Sequence, residues 1–361
     1  MTTTPVPTDA DTALDSATPA ETHAETQAGT TPASSAEPTG PRRPLIPTKL
    51  RPALRIVVVL FASLVVFALL LITQGSNPID GYRAMWDSVT RDSTAFGDVL
   101  VRLSPYLLAS LAVIVPARAG LFNIGGEGQL VLGAIGSMWA ANLLDGSAPR
   151  AITLFVMALS AMAFAALWAA IAGVLRVVAG TNEAISTLLL NYLAVLLLGW
   201  LVFGRWKDPA STGFPKTRAF TDAESVPILF GRVHAGLLVA LIAAVVVWAV
   251  LKYTVWGFQL GVLGGNPEAA RRAGFRTGFL SMSTLMVGGG LAGLAGMLQA
   301  SGVESNLRPG IMVGYGFTAV LAAWMVKQSP IKAIASSFLL AAIAIGGNGL
   351  KIRLGLSAAS V

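Results

Sequence analysis

A chain of 361 residues that is 54% hydrophobic and only 12% charged cannot cover a water-soluble globule with polar side chains, and a mean hydropathy of +0.69 marks an integral membrane protein. The absence of cysteine excludes disulfides, thiolate metal sites and cysteine nucleophiles, and the distant His23 and His234 offer no histidine-based metal centre. In such a chain a net charge of +7 speaks for cytoplasmic loops and anionic lipid contacts rather than nucleic acid.

Residues 1–41 are rich in Thr, Ala, Pro and Ser, carry Asp9, Asp11, Asp15, Glu21, Glu25 and Glu37, and contain no Lys or Arg. They hold too little apolar area to offset their ordering entropy, so the stretch is expected to be disordered. It lacks the basic start and apolar core of a signal peptide. Arg42, Arg43, Lys49, Arg51 and Arg55 then form a basic collar before the first apolar run. That collar places the N-terminal tail, residues 1–53, in the cytoplasm.

The remainder, 54–361, reads as one all-α polytopic membrane domain. Apolar runs at about 54–73, 99–117, 127–144, 151–175, 184–203, 234–254, 278–299, 310–326 and 331–348 approach the roughly 20 residues a span requires. Two of them, 99–117 and 310–326, are short and rich in Pro or Gly, the pattern of broken or re-entrant segments. Leu356 to Val361 reads like the start of a further span, so about nine to ten helices are expected with the last cut short; a miscounted short segment is the alternative. A cytoplasmic N-terminus puts a loop at 255–277 inside and the long loop 204–233 outside.

The stretch Ala119–Gly136, AGLFNIGGEGQLVLGAIG, opens an apolar run with six glycines, Asn123, Glu127 and Gln129. Irregular glycine-rich backbone at membrane depth is tolerated where protein buries it or water wets it, and a carboxylate there usually faces a cavity or a partner. Two readings stay open for Glu127: a lining of a substrate path, or a cap on free amides at a helix start. In Gly180–Tyr192, GTNEAISTLLLNY, Thr181 or Asn182 can cap a helix beginning near Glu183, from which Ser186 and Asn191 project. Such groups either bond another helix or face a pore. Asn123, Glu127, Gln129, Asn182, Glu183 and Asn191 are therefore the candidate substrate-path residues.

Gly264–Gly278, GGNPEAARRAGFRTG, carries its own start and stop signals. Asn266 is a good N-cap, Pro267 suits the first helical position, Glu268 complements the positive helix end, and Gly274 suits a left-handed stop. The resulting helix of about two turns is too short to be stable alone in water, which favours docking on a partner over a plain basic loop. No phosphate-binding loop, zinc-binding helix motif or nucleophile elbow is present, so no catalytic or metal-ligating set is expected. The run Gly288–Gly296 reads as close helix packing.

With these three stretches together, the chain resembles the membrane permeases of ATP-binding cassette importers. GLFNIGGEGQLVLGA (120–134), GTNEAISTLLLNY (180–192) and GGNPEAARRAG (264–274) are most similar to nucleoside and simple-sugar members of the branch that includes ribose and branched-chain amino acid permeases. The resemblance implies that Asn266, Pro267, Glu268, Ala269, Ala270 and Gly274 form the coupling helix seated in an ATPase subunit. It further implies that ATP and Mg²⁺ are bound by that partner and that this chain has no cofactor. A second permease, identical or homologous, completes the pore, and an extracytoplasmic lipoprotein or periplasmic receptor delivers substrate. Nucleosides are the expected cargo, sugars or branched-chain amino acids the alternative, and the bacterial plasma membrane the expected location. The chain departs from the family at Gly261, where a basic residue is common. An ion-driven secondary transporter would need buried ionisable relays, and the sequence offers only Glu127 and Glu183 near span ends.

Overall fold

The structure, a computed structural model, describes residues 51–312 and 314–354. The expected disorder of 1–41, the collar before Arg51 and the further span at Leu356 to Val361 lie outside the described residues. The described elements are α1 (Arg51–Thr73), α2 (Pro78–Thr90), α3 (Ser93–Arg118), α4 (Gly126–Leu144), α5 (Arg150–Ala179), α6 (Glu183–Phe203), β1 (Ile228–Phe230), β2 (Val233–His234), α7 (Gly236–Tyr253), α8 (Val255–Gly265), α9 (Pro267–Arg272), α10 (Thr277–Gln299), α11 (Tyr315–Met325) and α12 (Lys332–Leu354). A π-helical turn, Ala300–Glu304, prolongs α10. The chain divides into two units between Phe61 and Ala62, and the helical bundle belongs to the second.

Six helices among the described residues are long and apolar enough to cross a membrane: α3, α5, α6, α7, α10 with its π-helical turn, and α12. The sharply bent pair Val57–Thr73 and Pro78–Thr90 raises the number to seven if it makes one span. Two of the nine expected runs do not meet that length and composition among the described residues. The run at 127–144 becomes α4, whose first turns carry Glu127 and Gln129 and whose length is almost wholly buried in protein. The run at 310–326 contains only the 11 residues of α11, about 16 Å of helix against a hydrocarbon core of about 30 Å. The expected cytoplasmic loop 255–277 is itself largely helical, since α8 occupies its first half.

The bundle is organised around α3, α4, α5 and α10, which pack most closely. Small residues make this possible: Ala161, Ala165 and Ala169 of α5 face Gly289 and Gly293 of α10, while Gly133 of α4 meets Gly293 and Gly296 meets Leu130. A Cβ at Gly133 or Gly296 would collide with backbone atoms of the facing helix. Interhelical hydrogen bonds add to the contact, with Ser160 donating to the Gly136 carbonyl and Ser336 to that of Ala322, both at 2.8 Å. By contrast α5, α6 and α7 leave Phe155, Leu167, Leu189, Leu196, Ile242 and Val246 exposed, as faces toward lipid require.

Helix α3 stays continuous through Pro105 and Pro116. Each proline removes the amide that would bond the carbonyl four residues earlier. Ser104 donates to the carbonyl of Val101 at 3.0 Å, which replaces the bond lost at Pro105. Between α6 and α7, Arg218 grips Glu224 through two bonds of 2.7 and 2.8 Å and Asn142 through a third at 2.8 Å. Although burial by itself raises the Glu224 pKa, the bonds and charge of Arg218 together with the hydrogen bonds from Thr221 outweigh it and hold the carboxyl below its usual range. The antiparallel hairpin β1–β2 completes this connection.

Candidate functional site

The turn from α3 into α4 folds back into the bundle, and its polar side chains are bonded to backbone. Asn123 donates through Nδ2 to the carbonyl of Ala112 at 3.2 Å. That carbonyl is the one Pro116 leaves without its helical partner, so Asn123 supplies the missing donor from outside the helix. Asn123 and Gln129 exchange a reciprocal pair of bonds, each 2.9 Å, and Asn123 Oδ1 also accepts from the Gly125 amide at 3.1 Å.

Helix α6 clamps the same turn. Asn191 accepts from the Gly128 amide at 2.8 Å and donates to the Ile124 carbonyl at 2.9 Å. Thr187 accepts from the Ile124 amide at 3.2 Å. Glu183 accepts from the Phe122 amide at 3.0 Å and pairs with Arg176 at the end of α5. Asn182 stands apart from this knot: it is exposed and caps α6, accepting from Ala184 and Ile185.

Glu127 joins two helix beginnings. It lies in the first turn of α4, and its carboxylate accepts from the amides of Gly314 and Gly316, each at 2.6 Å. Those amides open α11, whose N-cap Gly314 provides no side-chain cap. A carboxylate at that position satisfies orphan donors and complements the positive end of the helix. The approach is backbone on backbone, since a Cβ at Gly316 would collide with the Glu127 amide. Of the two readings of Glu127, this geometry is the cap, applied to a helix nearly 190 residues away rather than to its own.

The short helix expected at 266–274 forms as α9 with its ends as drawn from sequence. Asn266 Oδ1 accepts from Glu268 and Ala269 at 3.0 Å, Pro267 begins the helix, and Gly274 adopts φ +77°. Exposed Glu268 pairs with Arg271 and Arg272, and these bonds hold its carboxyl below the usual range. One residue departs from expectation. Ala270 is fully buried within this chain, in an apolar cluster that includes Leu263, Phe275 and Leu280, so it cannot point into a partner's groove. The outward residues are Asn266, Pro267, Glu268, Ala269, Arg271, Arg272, Ala273 and Gly274. At Gly261, the basic group comes from elsewhere: the Arg118 guanidinium lies 3.5 Å from where a Cβ would stand.

The structure also gathers residues the sequence reading passed over. Arg102, Tyr106, Gln299 and Tyr315 meet near the other end of α3, with the two tyrosine rings 5.2 Å apart and edge to face. Arg102 had a legible signal, an arginine well inside a run of 26 helical residues. Gln299 and Tyr315 had none, because their neighbourhood depends on how α10 and α11 pack.

Residues 95–358 match the family described as the branched-chain amino acid transport system / permease component. The chain is 36% identical over 318 residues to the glucose ABC transporter permease protein TsgB13 of Haloferax volcanii, covering 84% of this chain and 83% of the relative. It is 30% identical over 300 residues to the guanosine ABC transporter permease protein NupP of Bacillus subtilis, covering 80% and 84%. To the nucleoside ABC transporter permease protein NupB of Lactococcus lactis it is 28% identical over 295 residues, covering 78% and 80%. With its family match, its apolar helices and its capped interhelical turn, this chain belongs to the branched-chain amino acid transport system permease family of ABC transporters.

Proposed function

We propose that this permease carries nucleosides inward across a plasma membrane, with α9 on the cytoplasmic side. The observation that carries the coupling role is α9 itself. Six helical residues are too few to persist alone in water, yet this helix has a complete cap, a glycine stop and an inward anchor at Ala270. Its remaining side chains are left facing outward, where an ATPase subunit would dock. ATP and Mg²⁺ belong to that partner, a second permease completes the pore, and an extracytoplasmic receptor delivers cargo.

Movement of α9 has a short mechanical route into the bundle. Gly264, at the end of α8, lies so close to Arg118 and Gly120 that a Cβ there would collide with the Arg118 carbonyl. Gly120 begins the turn that Asn123, Gln129, Glu183 and Asn191 hold, and that turn leads into the α4–α11 junction at Glu127. In this reading those residues build a wall of the route and transmit its movement, and Asn182 fixes the start of α6. The nucleoside assignment rests on NupP and NupB. A sugar is the second reading, supported by the 36% identity to TsgB13.

The test is uptake of labelled guanosine, uridine, glucose and leucine by a host lacking those activities that expresses the chain with its ATPase and receptor. ATP-dependent nucleoside uptake supports the proposal. Glucose uptake alone would replace it with the sugar reading, and uptake that needs an ion gradient but no ATPase would remove the coupling role.

A further inference from the structure

At the end of the bundle opposite α9, a cavity of about 350 Å³ is lined by Asp98 and Arg102 of α3, Arg232 of the hairpin turn, Gln299 and Glu304 at the end of α10, and Tyr315 of α11. Its size falls within the range of small-molecule sites, roughly 300–1,000 Å³. The carboxylates are already matched, Asp98 by Arg232 at 2.9 Å and Glu304 by Arg308 at 2.7 Å. Arg102 is not. It forms no ion pair among the described residues, and its Nε reaches only the Tyr106 hydroxyl, at 3.4 Å. Its guanidinium lies 5.7 Å from the Tyr106 ring centre and 5.3 Å from that of Tyr315. Neither Nη group meets an acceptor among the described residues. Two aromatic rings therefore hold a planar fork of donors whose two Nη groups keep their hydrogen-bonding capacity.

Gln299 is the complementary group. It is 3% exposed, its Nε2 lies 3.4 Å from Glu304, and its Oε1 accepts no hydrogen bond among the described residues. The four charges lining the cavity sum to zero, which suits a neutral solute over an anion. That solute needs paired acceptors for Arg102, hydroxyl donors for Gln299 and Glu304, and a flat face for Tyr315.

We propose that this cavity is an outward-facing subsite for a 6-oxopurine nucleoside, in which Arg102 reads the base edge and Gln299 and Glu304 receive the ribose hydroxyls. The inference rests on the nucleoside reading above and adds a selectivity to it. A guanidinium bonds the O6 and N7 acceptors of guanine or hypoxanthine together. Adenosine presents an amino donor where Arg102 needs an acceptor, and glucose offers neither a rigid edge of two pure acceptors nor a π face for Tyr315, only hydroxyls that both donate and accept.

The test uses the assembled importer and compares uptake of guanosine, inosine, adenosine and glucose. Arg102→Lys keeps the charge but loses the fork, so the apparent KM for guanosine should rise about tenfold and its advantage over adenosine should shrink, as loss of one bidentate base contact predicts. Arg102→Gln offers an acceptor and a donor, the pattern that pairs with adenine, and should turn the preference toward adenosine. An independent readout exploits the cysteine-free chain: Val303→Cys, exposed at the same cavity, should react with a membrane-impermeant thiol reagent applied from outside. Guanosine should slow that reaction and glucose should not. If the Arg102 variants fail to reach the membrane, protection at position 303 decides. Unchanged KM and preference in well-expressed variants, or labelling indifferent to guanosine, overturns the subsite while leaving nucleoside import standing. A wild type that imports glucose and no nucleoside overturns both.

Discussion

The Glu127 carboxylate and the Gly316 amide lie 2.6 Å apart, joining the first turns of two helices whose backbones touch at that point. Both helices begin inside the bundle, so their amide ends would face each other without a counter-charge. Glu127→Gln places an amino group where one of the two amides now finds an acceptor. The loss should be about 1.5–3 kcal/mol, the scale of one hydrogen bond to a charged group. Thermal unfolding in detergent measures it, and a melting temperature equal to wild type would remove the capping role.

Asn123 and Pro116 should be energetically coupled through the carbonyl of Ala112. Asn123→Leu leaves that carbonyl without its donor at 3.2 Å and should cost about 1–3 kcal/mol for each buried group orphaned. Pro116→Ala returns an amide to the helix ladder, so the double variant should lose less than Asn123→Leu alone. A double-mutant cycle in unfolding free energy reads the coupling directly; strict additivity would show that the carbonyl is not the link.

Ala269 and Ala270 are neighbours with opposite environments, one outward and one fully buried. Ala270→Asp buries an unpaired charge in an apolar cluster and should lower the melting temperature as well as activity. Ala269→Asp leaves the fold intact, because an acidic residue in the first turn suits a helix start, and should selectively weaken association with the ATPase. Co-purification yield beside the melting temperature separates the two effects. Full ATPase association by a stable Ala269→Asp variant would move the docking surface elsewhere.

His234, in β2 outside the spans, gives the connection between α6 and α7 an acid sensitivity. Burial pushes its pKa below the ordinary 6.5, its Nδ1 accepts from the Gly236 amide at 3.1 Å, and its Nε2 meets no partner among the described residues. The folded state therefore binds its proton less readily than the unfolded chain. Stability from the neutral ring is present above about 6.5 and is lost as pH falls below it. His234→Gln keeps an acceptor without a titrating ring, and should flatten the change in melting temperature between pH 7 and 5. An identical pH slope in that variant would assign the sensitivity to other groups.

Two glycines separate packing from propensity. Gly133→Ala drives a methyl into the backbone of Gly293 and should prevent stable folding, read as loss of monodisperse protein after extraction. Gly199→Ala meets nothing within 4 Å on α6 and should be neutral or stabilise by about 0.5–1 kcal/mol, the difference in helix propensity.

The sequence by itself determined the membrane class, the order of the long apolar helices and those features set by residues a few positions apart. The caps at Asn182 and Asn266, the proline start of α9 and the left-handed stop at Gly274 are local, because a cap bonds amides only two or three residues away. Apolar length could not separate a span from a half-helix, so α4 and α11 were legible as elements but not as parts of one junction. Which face of α9 turns inward was equally hidden, since six residues carry too little periodicity to define one. Only the tertiary structure decided that Glu127 caps α11, that Asn123 serves the carbonyl Pro116 leaves open, and that Arg102 stands beside Tyr315. Each of these joins groups on separate elements, and polar groups withdrawn from water take whichever partner the packing brings within reach.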